Sequence, residues 1–430
     1  MEIRDPIHGS INLSDAEINI IDSVVFQRLR SIKQLGFSEF SFPGAVHNRY
    51  IHSIGVCHLA GLAFDSIFKS FQFSSQKVRE RLRQAVRMGA LLHDIGHGPL
   101  SHTTEEVMPQ LQDLDIKIYG LKKSPPEPRI ANHEDYTIKF LTDSALTPII
   151  EDNPCDISAT HIACLVDKSL QVQDDFFTDS GLNFRPILSQ IVSSEMDVDR
   201  MDYLRRDSYF CGTNYGQVEL EWLLSHMTYH QVENEVYLAL NRRALYTFDD
   251  FLLSRHHMHL MVYFHHKSII YEEMLLRYLT SEDCSFRLPA DIEGYMKCTD
   301  YALYEHLDTV DNPWAQRIAR REPFKMVYEL HSIKENDRCA RMRQDLEEQG
   351  FEVIHANSKA RLSKYFSGSV EDKAYKIFVV DRLDWQSEPY PIENSTEIFE
   401  KYEEIRRIER LYVAPEKKEA AKNIIRSKSY

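Results

Sequence analysis

The sequence predicts a mainly α-helical protein with a smaller α+β domain at its C-terminal end. Helical periodicity of apolar residues dominates from about residue 14 to residue 290. After Pro289, short apolar runs of the strand type appear at 325–330, 351–354 and 375–380, and they alternate with charge-rich helical pieces. We therefore expect a large helical domain over residues 1–319 and a smaller α+β domain over residues 320–430.

Composition and charge exclude several classes of protein. The 430 residues are 43% hydrophobic and 27% charged, which is typical of a soluble globular protein. A net charge of −15 argues against general nucleic-acid binding, and no apolar run reaches the roughly 18 residues of a membrane span. No signal peptide is visible and the seven cysteines form no Cys-x-x-Cys pair, so we expect a cytoplasmic protein with buried or idle thiols.

The segment 77–93 shows the clearest amphipathic helix. Apolar or small residues recur there at spacings of three and four: Val78, Leu82, Ala85, Val86, Gly89 and Ala90. His93 follows Gly89 by four residues and continues the buried stripe, where a histidine needs a polar partner. Gly96 and the Gly98-Pro99 pair then end the helix and turn the chain. This turn would hold His97 and His102 at the mouth of one cavity.

Three further segments follow. Residues 122–128 contain three prolines and predict a surface loop that could act as a lid and that leads to His133-Glu134 at the start of a helix. Helices are expected through 197–207 and 246–279. On the first, Asp199, Tyr203 and Asp207 are spaced i, i+4, i+8 and share one face; Arg255, His259 and Tyr263 have the same spacing on the second.

Two fragments carry the chemistry, namely residues 93–102 (HDIGHGPLSH) and 197–203 (DVDRMDY). An adjacent His-Asp pair presents an imidazole nitrogen and a carboxylate oxygen to one divalent ion, and such a mixed set suits Mn, Fe, Zn or Mg. His52 and Asp199 are candidates for the remaining ligands. This pattern indicates a metal-dependent hydrolytic site.

These fragments, together with 5–9 (DPIHG), 26–36 (FQRLRSIKQLG) and 42–56, resemble the HD-domain deoxynucleoside triphosphate triphosphohydrolases, in particular bacterial enzymes similar to the vertebrate sterile-alpha-motif and HD-domain dNTPase. The matches run from residue 3 to about 275 and more weakly through 320–325. The resemblance implies an HD-domain helical core, with the C-terminal domain serving oligomerisation or regulation.

The resemblance also implies roles for individual residues. The metal ligands would be His52, His93, Asp94 and Asp199. The catalytic group would be His97, His102, His133, Glu105 and Glu134, with His102 as general acid and Glu105 orienting it. The family member compared has Asp where Glu105 stands, so the three histidines could exchange parts, and Glu134 could instead favour a helix N-terminus.

The implied substrate contacts fall into phosphate and sugar groups. Phosphates would be contacted by Arg49, Arg200, Arg255 and His259, and the sugar by Gln34, Leu35, Tyr203, Asp207 and Tyr263. Tyr263 would pack where a 2′-hydroxyl sits and so favour deoxyribose. Phe264 stands where the vertebrate relative has Gln, which leaves the base preference open.

A regulatory site is implied by Asp22, Gln27 and Arg30, which occupy the positions that read a guanine in the family's activating nucleotide site. Because that site lies between subunits, we expect a homo-oligomer, dimer or tetramer, activated by dGTP or GTP. The expected reaction is hydrolysis of a dNTP to deoxynucleoside and tripolyphosphate. The alternatives are another HD phosphohydrolase, acting on a nucleoside monophosphate, an alarmone or a cyclic dinucleotide, and a nucleotide-sensing protein with weak catalysis.

Overall fold

The computed structural model describes residues 1–430 except 123, 125, 334–335, 361–375, 382, 385, 396–405 and 429. Two residues of the predicted 122–128 loop and Tyr375, the first residue of the predicted 375–380 strand, therefore lie outside the described residues. Within the described part, no helix is long and apolar enough to cross a membrane.

Helices form most of the chain up to residue 319, which confirms the mainly α fold class. Their bounds are α1 (Asp15–Ile21), α2 (Val24–Gln27), α3 (Arg49–Ile67), α4 (Gln76–Leu92), α5 (His133–Thr142), α6 (Thr147–Glu151), α7 (Ala159–Val166), α8 (Arg185–Val192), α9 (Val198–Cys211), α10 (Leu220–His226), α11 (Leu245–Met258), α12 (His266–Leu279), α13 (Ile292–Tyr295), α14 (Asp300–Thr309) and α15 (Pro313–Ala319). The described residues after 319 add α16 (Arg338–Glu347) and α17 (Lys418–Ser427).

In the part of the chain that the structure describes, strands build three sheets. They are β1 (Glu2–Asp5), β2 (Gly9–Asn12), β3 (Thr178–Asp179), β4 (Leu182–Asn183), β5 (Met227–Val232), β6 (Glu235–Asn241), β7 (Lys325–Ser332), β8 (Val353–Ala360), β9 (Phe378–Val380), β10 (Tyr390–Pro391) and β11 (Arg406–Val413). β1 and β2 form an N-terminal hairpin, and β7-β11-β8 form an antiparallel sheet. A third sheet has the order β10-β9-β6-β4-β3, with β5 on β6.

The predicted domain boundary at residue 320 stays a prediction. The sheet β7-β11-β8 lies entirely after it, as expected for an α+β region. However, β9 pairs in parallel with β6, and Ala239 is opposite Phe378. The last quarter of the chain therefore also completes a sheet that begins in the helical part.

The helix α4 forms as the apolar spacing predicts. Leu82, Ala85, Val86 and Ala90 are buried, and His93 is the residue that caps the helix at its C-terminal end. The helix packs most extensively on α3 in the main core. This packing places His93 and Asp94 beside the face of α3 that carries His52.

The later long helix is not continuous, contrary to the prediction over 246–279. α11 ends at Met258, a π-helical turn occupies His259–Tyr263, and α12 begins only at His266. The amide of Phe264 donates to the carbonyl of His259 at 2.9 Å, an i to i+5 bond that widens the turn. The wider turn changes the direction in which Tyr263 projects from that expected of an α-helix.

The sheet β7-β11-β8 lies between two apolar layers. On one face, Ile354, Ala356 and Tyr412 join a core built largely by α12, α14 and α15. On the other face, Val353 and Leu411 join residues of α16 and α17. Alternation along the strands separates these two sets of side chains. As a result, β8 lies directly against α12.

Candidate active site

The four predicted metal ligands meet in one buried cluster. Nε2 of His52, from α3, lies 3.0 Å from Oδ1 of Asp199, from α9, and 3.5 Å from Oδ2 of Asp94. Nε2 of His93 lies 3.3 Å from Oδ1 of Asp94 and 3.4 Å from Oδ1 of Asp199. Residues 49–94 and residue 199 are far apart in sequence, so only packing of α3, α4 and α9 brings them together.

Both imidazole rings present an unprotonated nitrogen to the centre of this cluster when they are neutral. Nδ1 of His52 faces Oδ2 of Asp202 at 2.8 Å, and Nδ1 of His93 faces the carbonyl of Ala90 at 2.8 Å. Because those partners are acceptors, each Nδ1 carries the proton. Each Nε2 is buried and makes no hydrogen bond of acceptable geometry. Two such nitrogens beside two carboxylates are the donor set of a divalent cation.

The cluster also favours positive charge. Burial disfavours a charged ring at His52, but the carboxylates of Asp199 and Asp202 outweigh burial and raise its pKa to about 10. Burial likewise opposes ionisation of Asp94, yet Arg49 and the neighbouring histidines hold the pKa of that carboxyl well below its usual range. The site therefore has ionised carboxylates to offer to a cation.

Asp202 is the centre of a second, fully buried network behind His52. Its carboxylate lies 2.6 Å from Nε2 of His8 and accepts two hydrogen bonds from Arg206, at 2.7 and 2.9 Å. Arg206 also donates to Asp5 at 2.8 Å. Gly55 permits the close approach of α3, because a Cβ there would lie 2.0 Å from Oδ1 of Asp202. The N-terminal hairpin thereby contributes to the orientation of a candidate metal ligand.

Arg49 connects the cluster to a turn of unusual backbone. Its guanidinium donates to Asp94 and, through Nε at 2.9 Å, to the hydroxyl of Ser101. Ser101 in turn donates to the carbonyl of Lys33 at 2.7 Å. Leu100 and Ser101 have φ values of 54° and 58°, the left-handed region that non-glycine residues rarely adopt. This turn fixes the position of Arg49 at the wall of the cavity.

Three histidines and one glutamate form a neighbouring cluster. Oε1 of Glu105 lies 2.8 Å from Nδ1 of His102 and 2.6 Å from Nδ1 of His133. His97 stacks on His133 with ring centroids 3.9 Å apart. Burial opposes ionisation of Glu105, but hydrogen bonds from the two histidines lower its pKa to about 2. Its carboxylate is therefore ionised at any ordinary pH.

Exposure separates the members of this cluster. The side chain of His102 is 67% exposed, so its Nε2 is open to a ligand, whereas His97 is buried. Burial and the positive charge of Arg49 hold the pKa of His97 well below its usual range, which keeps that ring neutral. Glu134 is exposed on the first turn of α5 and is not part of the cluster of ligand atoms formed by the other four residues.

The predicted sugar contacts line a cavity of about 560 Å³. The predicted residues in its wall are Gln34, Leu35, Arg49, His102, Tyr203, Asp207, His259 and Tyr263. The hydroxyl of Tyr263 donates to Oδ2 of Asp207 at 2.8 Å, and Nε2 of His47 lies 2.7 Å from Oδ1 of the same carboxylate. A buried histidine and a tyrosine thus hold Asp207 in one orientation.

Like Arg49, the predicted phosphate contacts Arg200 and Arg255 are engaged in ion pairs. Arg200 donates to Asp197 and to the carbonyl of Ser194, and Arg255 donates to Glu195 at 2.8 Å. Both guanidinium groups are near Tyr203, where their charge opposes the rise in its pKa that burial causes. A guanidinium has five N–H donors, and both of these bonds of Arg200 leave from one nitrogen, so Arg200 has further donors for a phosphate.

The residues of the implied regulatory site lie together between α1 and the 3-10 turn after α2. Asp22 and Arg30 are exposed, and Nε of Arg30 donates to Oε1 of Gln27 at 2.7 Å. Gln27 also donates to the carbonyl of Ile21 at 2.7 Å, and the guanidinium of Arg30 lies over the ring of Tyr50. The single chain therefore presents these side chains at its surface.

Sequence reasoning missed several residues of the site. No local sequence signal marks His47, Asp202 or Arg206, because their helical and loop segments resemble many others. The i+4 spacing of Asp202 and Arg206 was visible, but that spacing is common in solvent-exposed pairs. Glu272 and Ser358 also line the cavity, and nothing local marks them as site residues.

Comparison with known proteins gives this geometry a family context. The HD domain pattern matches residues 49–207, which include all four predicted metal ligands, and the pattern of the HD associated region matches residues 218–358. The chain is 30% identical to an uncharacterized protein of Mycoplasma pneumoniae over 314 residues, 71% of this chain and 67% of that protein.

Two further matches are to a relative whose name states an activity and to a solved structure. The chain is 31% identical to the Dictyostelium discoideum homolog of the deoxynucleoside triphosphate triphosphohydrolase SAMHD1, over 76% of this chain and 60% of that protein. A crystal structure of a hypothetical protein from Aquifex aeolicus has a TM-score of 0.74 and 25% identity, with 99% of both chains covered. The chain spans about half to two thirds of the length of the curated relatives it matches.

Proposed function

This chain belongs to the HD-domain family, and from that premise we propose that it hydrolyses deoxynucleoside triphosphates to deoxynucleoside and tripolyphosphate in a metal-dependent reaction. The name of the Dictyostelium relative supports the substrate class. The observation that carries the proposal lies in this chain: one cavity has Arg49 and His102 at the metal-ligand cluster and the Tyr263–Asp207 pair farther along its wall.

The residues present fit a divalent cation. His52, His93, Asp94 and Asp199 would hold it, because each of the two orphaned Nε2 atoms lies 3.0 to 3.5 Å from an oxygen of both carboxylates. The donor set accommodates Mn, Fe, Mg or Zn. When bound, the cation supplies Lewis-acid activation of water and neutralisation of phosphate charge.

The chain's own groups position the phosphates and the leaving group. Arg49, already fixed by Ser101, donates to phosphate oxygens, with Arg200, Arg255 and His259 as further donors. Water adds to the α-phosphorus and loses a proton to solvent, and the bond from phosphorus to the 5′ oxygen breaks. Nε2 of His102 gives its proton to the 5′ oxygen, while Glu105 holds Nδ1 of the same ring. His97 and His133 complete the contacts to the α-phosphate.

The sugar-binding residues explain why the substrate would be a deoxynucleotide. Tyr203 and Asp207 face the 3′ side, with Gln34 and Leu35 completing the pocket. Tyr263 is tied to Asp207 through its hydroxyl, so its ring cannot readily move aside for a 2′-hydroxyl. A ribonucleotide would meet a clash or an unpaired hydroxyl at this wall.

Activation by a guanine nucleotide is a second part of the proposal. Asp22, Gln27 and Arg30 lie at the surface, and the side chains of Asp and Arg suit complementary edges of guanine. A homo-oligomer would bring a second copy of the chain to this surface. Turnover measured with and without GTP, together with the molecular mass in solution, tests this part separately from the reaction.

The reaction is tested by product analysis. Protein loaded with one metal at a time is incubated with each dNTP, with and without GTP, and the products are separated by chromatography. We expect deoxynucleoside and tripolyphosphate in equal amounts, and none with His93→Ala. Monophosphate with pyrophosphate, or no turnover in any combination, would contradict the proposal; turnover of a monophosphate, alarmone or cyclic dinucleotide alone would favour another HD phosphohydrolase.

A further inference from the structure

Glu272 is a carboxyl group without a protein partner in the wall of the substrate cavity. It lies on α12, is partly buried, and makes no hydrogen bond or ion pair with any residue that the structure describes. Its neighbour Glu273 lines the same cavity but is bonded to Arg277 at 2.7 Å. A partly buried carboxyl without a partner is costly unless a ligand supplies donors.

The surroundings of Glu272 confirm that the protein itself does not stabilise its charge. Burial, and after it the charge of Glu273, raise the pKa of Glu272 to about 7. No positive group counters these effects among its described neighbours. Donors on a bound ligand would favour the ionised form and would lower this pKa again.

Charge divides the residues that line the cavity. Arg49, which donates to Asp94 of the metal-ligand cluster, lines the cavity, whereas Glu272 enters its wall from α12, the helix that packs on β8. Glu106 and Glu273 line the cavity as well. These three carboxyl groups repel a triphosphate, so the phosphates belong beside Arg49 and the metal-ligand cluster, and the base is left for the wall that holds Glu272.

We propose that Glu272 reads the base of the substrate and that it selects guanine. This inference rests on the proposed function, because it assumes a bound dNTP. Guanine alone among the DNA bases presents two adjacent donors, N1–H and the 2-amino group, along its pairing edge. An ionised carboxylate is acceptor-only and matches that pair of donors with its two oxygens. Adenine, cytosine and thymine each place at least one acceptor there.

The test compares the four dNTPs in one enzyme. kcat/KM is measured for each with the full-length, metal-loaded protein at a fixed GTP concentration, so that any activator effect is constant. We expect the wild type to prefer dGTP. In Glu272→Gln, which replaces one acceptor by a donor, the ratio of kcat/KM for dGTP to that for dATP should fall by about tenfold or more. Glu272→Ala should also lose the preference.

A ratio of two kcat/KM values measured in one protein separates base selection from poor folding. Poor folding lowers the kcat/KM values of all four dNTPs together. Glu282→Gln is the matched control, because this exposed residue just beyond α12 undergoes the same change of charge outside the cavity. An unchanged dGTP:dATP ratio in both Glu272 variants, or a wild type that prefers another base, overturns the inference and leaves the proposed function intact. A wild type that cleaves no dNTP overturns the proposed function and this inference with it.

Discussion

The surroundings of the metal-ligand cluster and the cavity wall at Glu272 differ in how completely the protein satisfies its own charged groups. Around the cluster, which we call the inner end of the site, Asp94, Asp202 and Glu105 each have two or more partners, and their pKa values are lowered despite burial. At the cavity wall formed by α12, which we call the outer end, Glu272 has none among the described residues, and its pKa is raised to about 7. Groups for bond cleavage are oriented before substrate arrives, whereas the group that we assign to base selection depends on the substrate for its partners.

The largest expected effect is at the cation site of the inner end. Asp199→Asn keeps the shape of the side chain but removes one of the two negative charges facing His52 and His93. We expect bound metal to be lost and turnover to fall about a thousandfold or more. Metal content by elemental analysis and single-turnover rates measure both. Asp308→Asn, an exposed change on α14, is the control; full metal content in Asp199→Asn would contradict the ligand assignment.

The next effect concerns the orientation of His102. Glu105→Gln removes a carboxylate whose pKa of about 2 keeps it ionised throughout the range pH 4 to 9. Loss of the charged acceptor for Nδ1 of His102 and His133 should lower kcat about a hundredfold with little change in KM. The loss should be similar at every pH in that range, since the wild-type group does not titrate there. A rise in KM with unchanged kcat would assign Glu105 to binding instead.

A smaller effect is expected behind the metal ligands. Asp202→Asn weakens the acceptor that fixes Nδ1 of His52, and metal affinity should fall about ten- to a hundredfold. The same change leaves Arg206 partly uncompensated in the core, so the free energy of unfolding should also decrease. Calorimetric metal titration and thermal unfolding of the metal-free protein distinguish the two. Unchanged metal affinity with lowered stability would reduce Asp202 to a purely structural role.

Tyr263 lines the cavity, and a substitution there tests the sugar wall. Tyr263→Phe removes only the hydroxyl that donates to Asp207. Because the ring is then freer to move, the ratio of kcat/KM for dGTP to that for GTP should fall about fivefold. A change of this size corresponds to the usual net free energy of one hydrogen bond. Turnover of both nucleotides is measured with the metal held constant. A preference that stays the same would mean that the ring is positioned by packing alone.

The smallest effect is expected at the outer end for a residue other than Glu272. Ser358 lies on β8 in the cavity wall, and Ser358→Ala should change kcat/KM for any dNTP by less than about threefold. Steady-state assays on all four dNTPs measure it. A loss as large as that of Glu105→Gln would break the contrast between the two ends, because it would place chemistry at the end that we assign to selection.

The local patterns of the sequence predicted a large part of this site. The three- and four-residue spacing through α4 placed His93 at the end of a buried stripe, and the i, i+4, i+8 spacing placed Asp199, Tyr203 and Asp207 on α9. Both patterns depend on helix geometry alone. The prediction of a continuous helix over 246–279 was wrong. π-helical turns have no reliable local signature, and the interruption at 259–263 is decided by packing.

Periodicity and side-chain chemistry were enough to predict the mainly helical fold class, the later α+β region and the types of residue that can hold a cation. Three features depend on the folded chain: which nitrogen of His52 and His93 faces the cluster, the joining of Asp202 to His8, His52 and Arg206, and the packing of β8 against α12, the helix of Glu272. Those features are contacts between residues distant in the chain, and burial sets their energies.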